Sequence, residues 1–201
     1  MHWSFSALDD LPGLVWRALE EAAAAAEHPL RTAAFGTATQ FDASMRTVVL
    51  RSVDTARRQL ACHSDVRTAK VQHLRLNPNV QWLFHDAAAR VQLRITALAM
   101  THHVDAIAEA AWKSVPVTNR PNYCSRHPPG TAIAAPELAL PAEWRERVPT
   151  PDETARGFDN FAVLVTTVEH MDWLQLGADG RHRRAGFTWT GTRFSGVWLA
   201  P

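Results

Sequence analysis

Within one short stretch, Arg46, Arg51, Arg67, Thr68 and Lys70 supply the cations and the hydroxyl that a phosphomonoester needs. Arg46 and Arg51 bracket the extended run Thr47-Val48-Val49-Leu50, and their odd separation puts the two side chains on opposite faces of a regular strand. Arg67, Thr68 and Lys70 fall at the start of a short helix, where free backbone N–H groups and two cations can meet an anion. On spacing alone, edge-strand charges and solvated helix residues fit equally well. The histidines offer a different chemistry, because His102-His103, His170 and His182 could converge on a metal. None forms H-E-x-x-H or another ligand spacing with a mechanism, so no metal is expected.

The elements that must position these residues are mostly short strands. Alternation or continuous apolar character marks 33–40, 47–53, 58–63, 80–85 and 91–99, followed by 161–168 and a closing hairpin of 185–190 and 194–199 around Thr190-Gly191. The clearest is Arg90 to Ala99, where Val91, Leu93, Ile95 and Ala97 alternate with Gln92, Arg94 and Thr96. An N-terminal helix over about 11–28 is capped by Asp9 or Asp10, with Pro12 in its first turn. A second helix opens at Ser64 or Asp65 and ends near Asn77, ahead of Pro78, and a third covers about 104–112. The proline-rich run 114–157, which includes Pro128-Pro129-Gly130, is expected to be a long loop with one short helix, of the kind that often carries function. The pattern as a whole predicts a single domain over 1–201, mainly β with flanking helices, folded as an antiparallel barrel or sandwich.

Composition narrows the function classes. With 201 residues and 46% hydrophobic content the chain can bury a core. Its 21 Lys and Arg against 20 Asp and Glu give a formal charge of +1, so neither nucleic acid nor an anionic membrane is an expected partner. An anion site must be local. The apolar run Ala22 to Ala26 is too short to span a bilayer, and no secretory signal is evident. Cys62 and Cys124 form no C-x-x-C, which leaves a cytoplasmic location as the default.

The ordered set Arg46-Thr47-Val48-Val49-Leu50-Arg51, Cys62-His63-Ser64-Asp65-Val66-Arg67-Thr68-Ala69-Lys70 and Asn77-Pro78 resembles the pyridoxamine 5'-phosphate oxidase family. The resemblance continues through Val91-Gln92-Leu93, Asp172-Trp173-Leu174, His182-Arg183-Arg184 and Trp198-Leu199-Ala200-Pro201. It is closer to the less characterised FMN-binding branch than to the biosynthetic oxidases. The fold it implies is the FMN-binding split β-barrel, with about six barrel strands.

By that resemblance the cofactor is FMN. Arg46 is directed at its phosphate, and the strand Thr47, Val48, Val49, Leu50 and Arg51 lines the flavin through its backbone. Thr68 and Lys70 complete the phosphate cradle, Arg67 is a third cation, and His63 and Ser64 contact the flavin. Gln92 hydrogen-bonds the ring, while Trp173 and Arg184 reach the cofactor from a partner subunit, implying a homodimer with flavins at its interface. The cofactor carries the hydride and the protein supplies orientation and electrostatics.

The resemblance fails where the family reads its substrate. The expected tyrosine, arginine and serine fall in Ala111-Trp112-Lys113-Ser114-Val115-Pro116 and find no counterpart there. The C-terminal Arg-x-His signature is reduced to His182, preceded at that spacing by Gly180. Losing a cation for a buried phosphate weakens its binding, so B6 phosphate oxidation is not expected. The expectation is an FMN-dependent oxidoreductase for another substrate, with a non-catalytic FMN sensor or store as the alternative. Tyr123, Arg126 and His127 in the long loop are given no role.

Overall fold

The computed structural model describes residues 3–134, 142–178 and 180–201. Helix α1 spans Leu11–Ala24 and buries Leu11, Val15, Trp16, Ala18, Leu19 and Ala22, the stripe expected of a helix laid over a sheet. It is shorter than the expected 11–28. Ala25 is extended, and Arg31 folds back so that its guanidinium donates to the carbonyls of Ala22 and Ala23, satisfying the open end of the helix.

Nine antiparallel strands follow: β1 Thr32–Ala38, β2 Ala43–Val49, β3 Ser52–Asp54, β4 Gln59–Asp65, β5 Asn79–Asp86, β6 Val91–His102, β7 Phe161–Gln175, β8 Arg183–Trp189 and β9 Phe194–Leu199. Their hydrogen-bonded order is β2-β1-β5-β6-β7-β4-β3, with β8 on β7 and β9 on β8. The two ends of that path, β2 and β3, are consecutive in the chain. The run 43–54 therefore closes a six-walled barrel, half of it on β1 and half on β4. This is a split β-barrel.

The expected strand 47–53 is thus two strands, and the handover takes two residues. Leu50 N–H still donates to Arg31 on the β1 side, whereas Arg51 N–H donates to Ala61 of β4. Before the handover β2 pairs with β1 alone, and residues 62–65 of β4 pair with β7 alone. The wall is open between them. On the far side, β7 pairs with β4 over Phe161–Thr167 and with β8 over His170–Gln175, and a register shift at Thr96/Ala97 of β6 marks the change.

The barrel is filled by aromatic and branched side chains. Phe35 meets Trp82 edge-on at 4.9 Å, and Trp82 stacks on Phe84 at 5.6 Å. One polar link crosses this core: Trp82 Nε1 donates to Thr166 Oγ1 at 3.1 Å, and Thr166 Oγ1 donates to the Leu60 carbonyl at 3.0 Å. Both side chains are wholly buried.

Helix α2 covers Ala69–Leu76, with Thr68 at its N-cap, and α3 covers Ala106–Ser114, where Asp105 caps the Ala108 N–H. The run 114–157 has more structure than the expected loop. It contains 3-10 segments Val117–Tyr123 and Ala155–Asn160 and helix α4, Pro151–Thr154, started by a Thr150–Glu153 capping box. Residues 135–141 of that run lie outside the described residues. Among the described residues no helix is long and apolar enough to cross a membrane.

Thr166→Val keeps shape and strands the Trp82 N–H in an apolar interior, a loss of about 1–3 kcal/mol. Urea denaturation is expected to show a lower midpoint at unchanged slope, with Thr166→Ser recovering most of the difference.

Candidate functional site

The opening in the barrel wall separates two faces of the same strands. On the inner side, Lys70 Nζ lies 3.0 Å from Ser64 Oγ and 3.4 Å from Thr68 Oγ1, and those hydroxyls are 3.2 Å apart. Arg46 Nη1 donates to the Phe35 carbonyl at 3.1 Å and to Thr37 Oγ1 at 2.8 Å, while its Nη2 donates to Ser44 Oγ at 2.8 Å. Neither cation has a carboxylate partner among the described residues. Burial holds the Lys70 ammonium below the usual lysine value, and nearby Arg46 adds to the fall. Burial also lowers Arg46. Behind them Cys62 is a neutral thiol, pushed up to about 12 by burial despite the pull of Lys70, Arg51 and Arg46. Two half-buried cations without counterions are what a phosphate would stabilise.

The strand edge beside this cradle is unpaired. Because residues 46–49 bond only to β1, the backbone groups pointing away from β1 are open to a ligand's polar edge. Val48 and Leu50 are buried in the core, so those two residues can serve a cofactor only through their backbone.

On the outer side a cleft of about 770 Å³ lies between α3, the 3-10 segment after it and the outer face of β4 and β7. Arg51 and His63 point into it, on the faces opposite Arg46 and Ser64, as strand alternation requires. His63 packs edge-on against Phe161 at 4.9 Å, and Tyr123 does the same at 5.0 Å. Burial first, then Arg51 and Arg31, push His63 down to about 4, so its imidazole is neutral. Burial raises the Tyr123 hydroxyl to about 12. Both are neutral hydrogen-bonding groups at physiological pH.

Arg46, Ser64, Thr68 and Lys70 thus converge, with Arg51 and His63 across the wall from them. Arg67 does not join them. Its Nη2 and Nε bind the Asp65 carboxylate at 2.7 Å and 3.0 Å, and Nη1 donates to the Ser125 carbonyl, so its charge is spent on fixing the loop ahead of α2. Trp173 is likewise corrected: its ring is fully buried in its own chain against Trp3 and Phe5 and is not available to a partner's cofactor. The residue that faces outward is Leu174, paired to Gln92 on one side and Arg184 on the other. Gln92 and Arg184 therefore share the outer face of β6 to β8, where Asp172 holds both Arg184 and Arg94. His182 is exposed ahead of β8 and does not line the cleft.

Sequence reasoning gave Tyr123 no role and missed Arg31, Asn119 and Asn122 in the cleft lining. Tyr123 and the two asparagines lie on the 3-10 segment inside the expected loop, and no periodicity marks so short a helix. Among the described residues no group of His, Cys, Asp or Glu could hold a metal ion.

Residues 14–103 match the family model for the pyridoxamine 5'-phosphate oxidase FMN-binding domain, a span that contains the whole cradle. The chain superposes on a pyridoxamine 5'-phosphate oxidase-related FMN-binding protein from Nostoc punctiforme with a TM-score of 0.69 at 18% identity, covering 94% of this chain and 96% of that one. PhzG from Burkholderia lata, solved in complex with tetrahydrophenazine-1-carboxylic acid, gives 0.71 at 18% identity, covering 96% and 93%. No curated protein matches the sequence. At this identity the structural likeness carries the fold, which is the split barrel that the family resemblance implied.

The depressed His63 value has a thermodynamic consequence. The folded state holds fewer protons at His63 than the unfolded chain between about 4 and the ordinary 6.5, so stability falls as pH drops through that window. NMR of ¹⁵N-labelled imidazoles is expected to show His63 neutral at pH 5, and His63→Gln should flatten the acid limb of the stability curve. A His63 that titrates near 6.5 overturns this assignment.

Proposed function

We propose that the chain is an FMN-dependent oxidoreductase, because residues 14–103 match the family model for the pyridoxamine 5'-phosphate oxidase FMN-binding domain. The observation that supports it best is the pair Arg46 and Lys70, half-buried and without carboxylate partners among the described residues, with Lys70 bonded to the Ser64 and Thr68 hydroxyls and Arg46 to those of Thr37 and Ser44. Arg46, Lys70, Ser64 and Thr68 would hold the phosphate. The open edge of residues 46–49 would meet the polar rim of the ring, and Arg51 and His63 mark the other side of the wall. When bound, FMN supplies hydride acceptance and leaves to the protein the work of orientation and electrostatics. Neutral His63 and Tyr123 can orient a substrate by hydrogen bonds, and the apolar packing of Phe161 and Trp112 behind them excludes water.

We further propose a homodimer. Gln92 and Arg184 lie on the outer face of β6 and β8, and the face they share exposes Leu98, Met100, Val197 and Leu199. A second copy covering that face would bury the apolar side chains and deliver Gln92 and Arg184 to the neighbour's cofactor. The unpaired thiols Cys62 and Cys124 suit a reducing cytoplasm.

Purified protein is expected to be yellow, with about one FMN per chain. Lys70→Met or Arg46→Ala should weaken FMN by about tenfold to a hundredfold, the scale of one charge-assisted hydrogen bond, and riboflavin hardly at all, measured by flavin fluorescence quenching. A chain that takes up no FMN overturns the reading. Stopped-flow reduction separates an oxidoreductase from a passive flavin store, since only the former is reduced rapidly by its substrate. For the dimer, sedimentation of the holo-protein at micromolar concentration should give twice the chain mass, and a monomer there contradicts it.

A further inference from the structure

Thr37 places a hydroxyl in a core position. The alternation of β1 buries Ala33, Phe35 and Thr37 on one face, and Thr37 is only 3% exposed, so its oxygen and its proton both need partners inside the fold. The oxygen accepts from Arg46 Nη1 at 2.8 Å. The proton has His73 of α2, whose Nδ1 lies 3.2 Å away. Arg46 is a donor only, and among the described residues no other acceptor is bonded to this hydroxyl, so the Thr37 proton goes to His73 and Nδ1 is the bare nitrogen. A hydrogen on Nδ1 instead would strand the Thr37 proton in a dry place. The rest of the ring agrees, since Nε2, which then carries the hydrogen, faces the Asp42 carboxylate at 4.0 Å. A hydroxyl that donates is also a better acceptor, so His73 strengthens the hold of Thr37 on Arg46.

The same contact joins the two elements that carry the cations. Lys70 and His73 stand three residues apart on one side of α2, whereas Arg46 is on β2. Among the described residues, His73 alone on α2 reaches the β1–β2 hairpin by a polar group, through Thr37 and toward Asp42. The two cations repel, and Arg46 is one of the causes, after burial, that lower Lys70. A pair that repels keeps a fixed separation only if each member is tied down. Lys70 is tied by Ser64 and Thr68, and Arg46 by Thr37, Ser44 and the Phe35 carbonyl. His73 ties the two sets to each other.

We propose that His73 is a positioning residue for the anion cradle, holding Arg46 through Thr37 at a set distance from Lys70. Calling the anion a flavin phosphate rests on the FMN reading; the link between the three side chains does not.

The test titrates FMN and riboflavin against the full chain by fluorescence quenching. His73→Leu, which keeps bulk and removes the acceptor, should weaken FMN about fivefold, the scale of one neutral hydrogen bond, and leave riboflavin unchanged. His73→Asn, whose Oδ1 is bonded to Cγ as Nδ1 is, should restore FMN binding. Helix propensity ranks leucine above asparagine, so a role confined to helix stability gives the opposite order. In Arg46→Ala, where His73 has nothing left to position, adding His73→Leu should cost nothing more. Undiminished FMN binding in His73→Leu, no rescue by asparagine, a parallel loss of riboflavin, or additive losses in the double variant each overturns the proposal. Flavin-free protein gives a second readout. At about pH 8, where an ordinary imidazole is neutral, ¹⁵N NMR should show Nδ1 of His73 unprotonated and its resonance moved by both Thr37→Val and Arg46→Ala. A hydrogen on Nδ1, or a resonance indifferent to both substitutions, overturns the link. The expected spectra in a chain that takes up no FMN overturn the cofactor reading alone.

Discussion

The organisation of this molecule depends on how one strand run closes the barrel. Residues 43–54 begin as the neighbour of β1 and end as the neighbour of β4, and the exchange occurs between the Leu50 and Arg51 N–H groups. A fully closed barrel would have paired every strand edge and left no backbone edge for a ligand. Here closure is partial, so the residues before the handover keep one edge free. Strand alternation then decides the rest: Arg46 faces one way and Arg51 the other, as do Ser64 and His63. Two polar sites arise on opposite sides of one thin wall.

Keeping that wall open has a cost, because it leaves cations in partly dry surroundings without counterions. Burial lowers both Arg46 and Lys70, which means that the fold works against their charge. Arg67 shows the ordinary solution a few residues away, where Asp65 neutralises it and the pair fixes a loop. The neighbouring lysine has hydroxyls alone as partners among the described residues, so an anion from outside would stabilise it. The rigid core supports this. The Trp82–Thr166–Leu60 link ties β5, β7 and β4 together beneath the cradle, so the strained electrostatics sit on a stiff frame.

Much of this was legible in the sequence. Alternation in β6, the Thr190-Gly191 turn and the stripe of α1 led to the right elements, because each reports burial that local period reveals. That Arg46, Thr68 and Lys70 would come together was legible because they lie close together in the chain, on a strand and at a helix start. What was not legible depends on long-range partners. The break of the run 47–53 into β2 and β3 follows from which strands flank it, and a β-branched run carries no mark of a change of partner. Arg67 was read as a free cation because only geometry shows that Asp65 folds onto it. Trp173 and Leu174 differ by one residue, and a slip of one turns a strand inside out. The cleft assembles residues from β4, α3 and the segment 117–123, which no local pattern joins.

The protonation states of the cleft carry the argument one step further. His63 is held near 4 and Tyr123 near 12, so neither changes charge across the physiological range. With no carboxylate in the lining among the described residues, the charge these residues give the cleft is constant over that range and set by Arg31 and Arg51. A site of this kind cannot act as a proton sink through its own titration, since a general base works best with a value near the operating pH. Any proton lost by a substrate must therefore leave with solvent or travel with the reacting group, while His63 and Tyr123 hold their hydrogen bonds fixed. Under the proposed reading, orientation belongs to the cleft lined by Arg31 and Arg51, and electron transfer to a flavin held by Arg46 and Lys70 across the same thin wall.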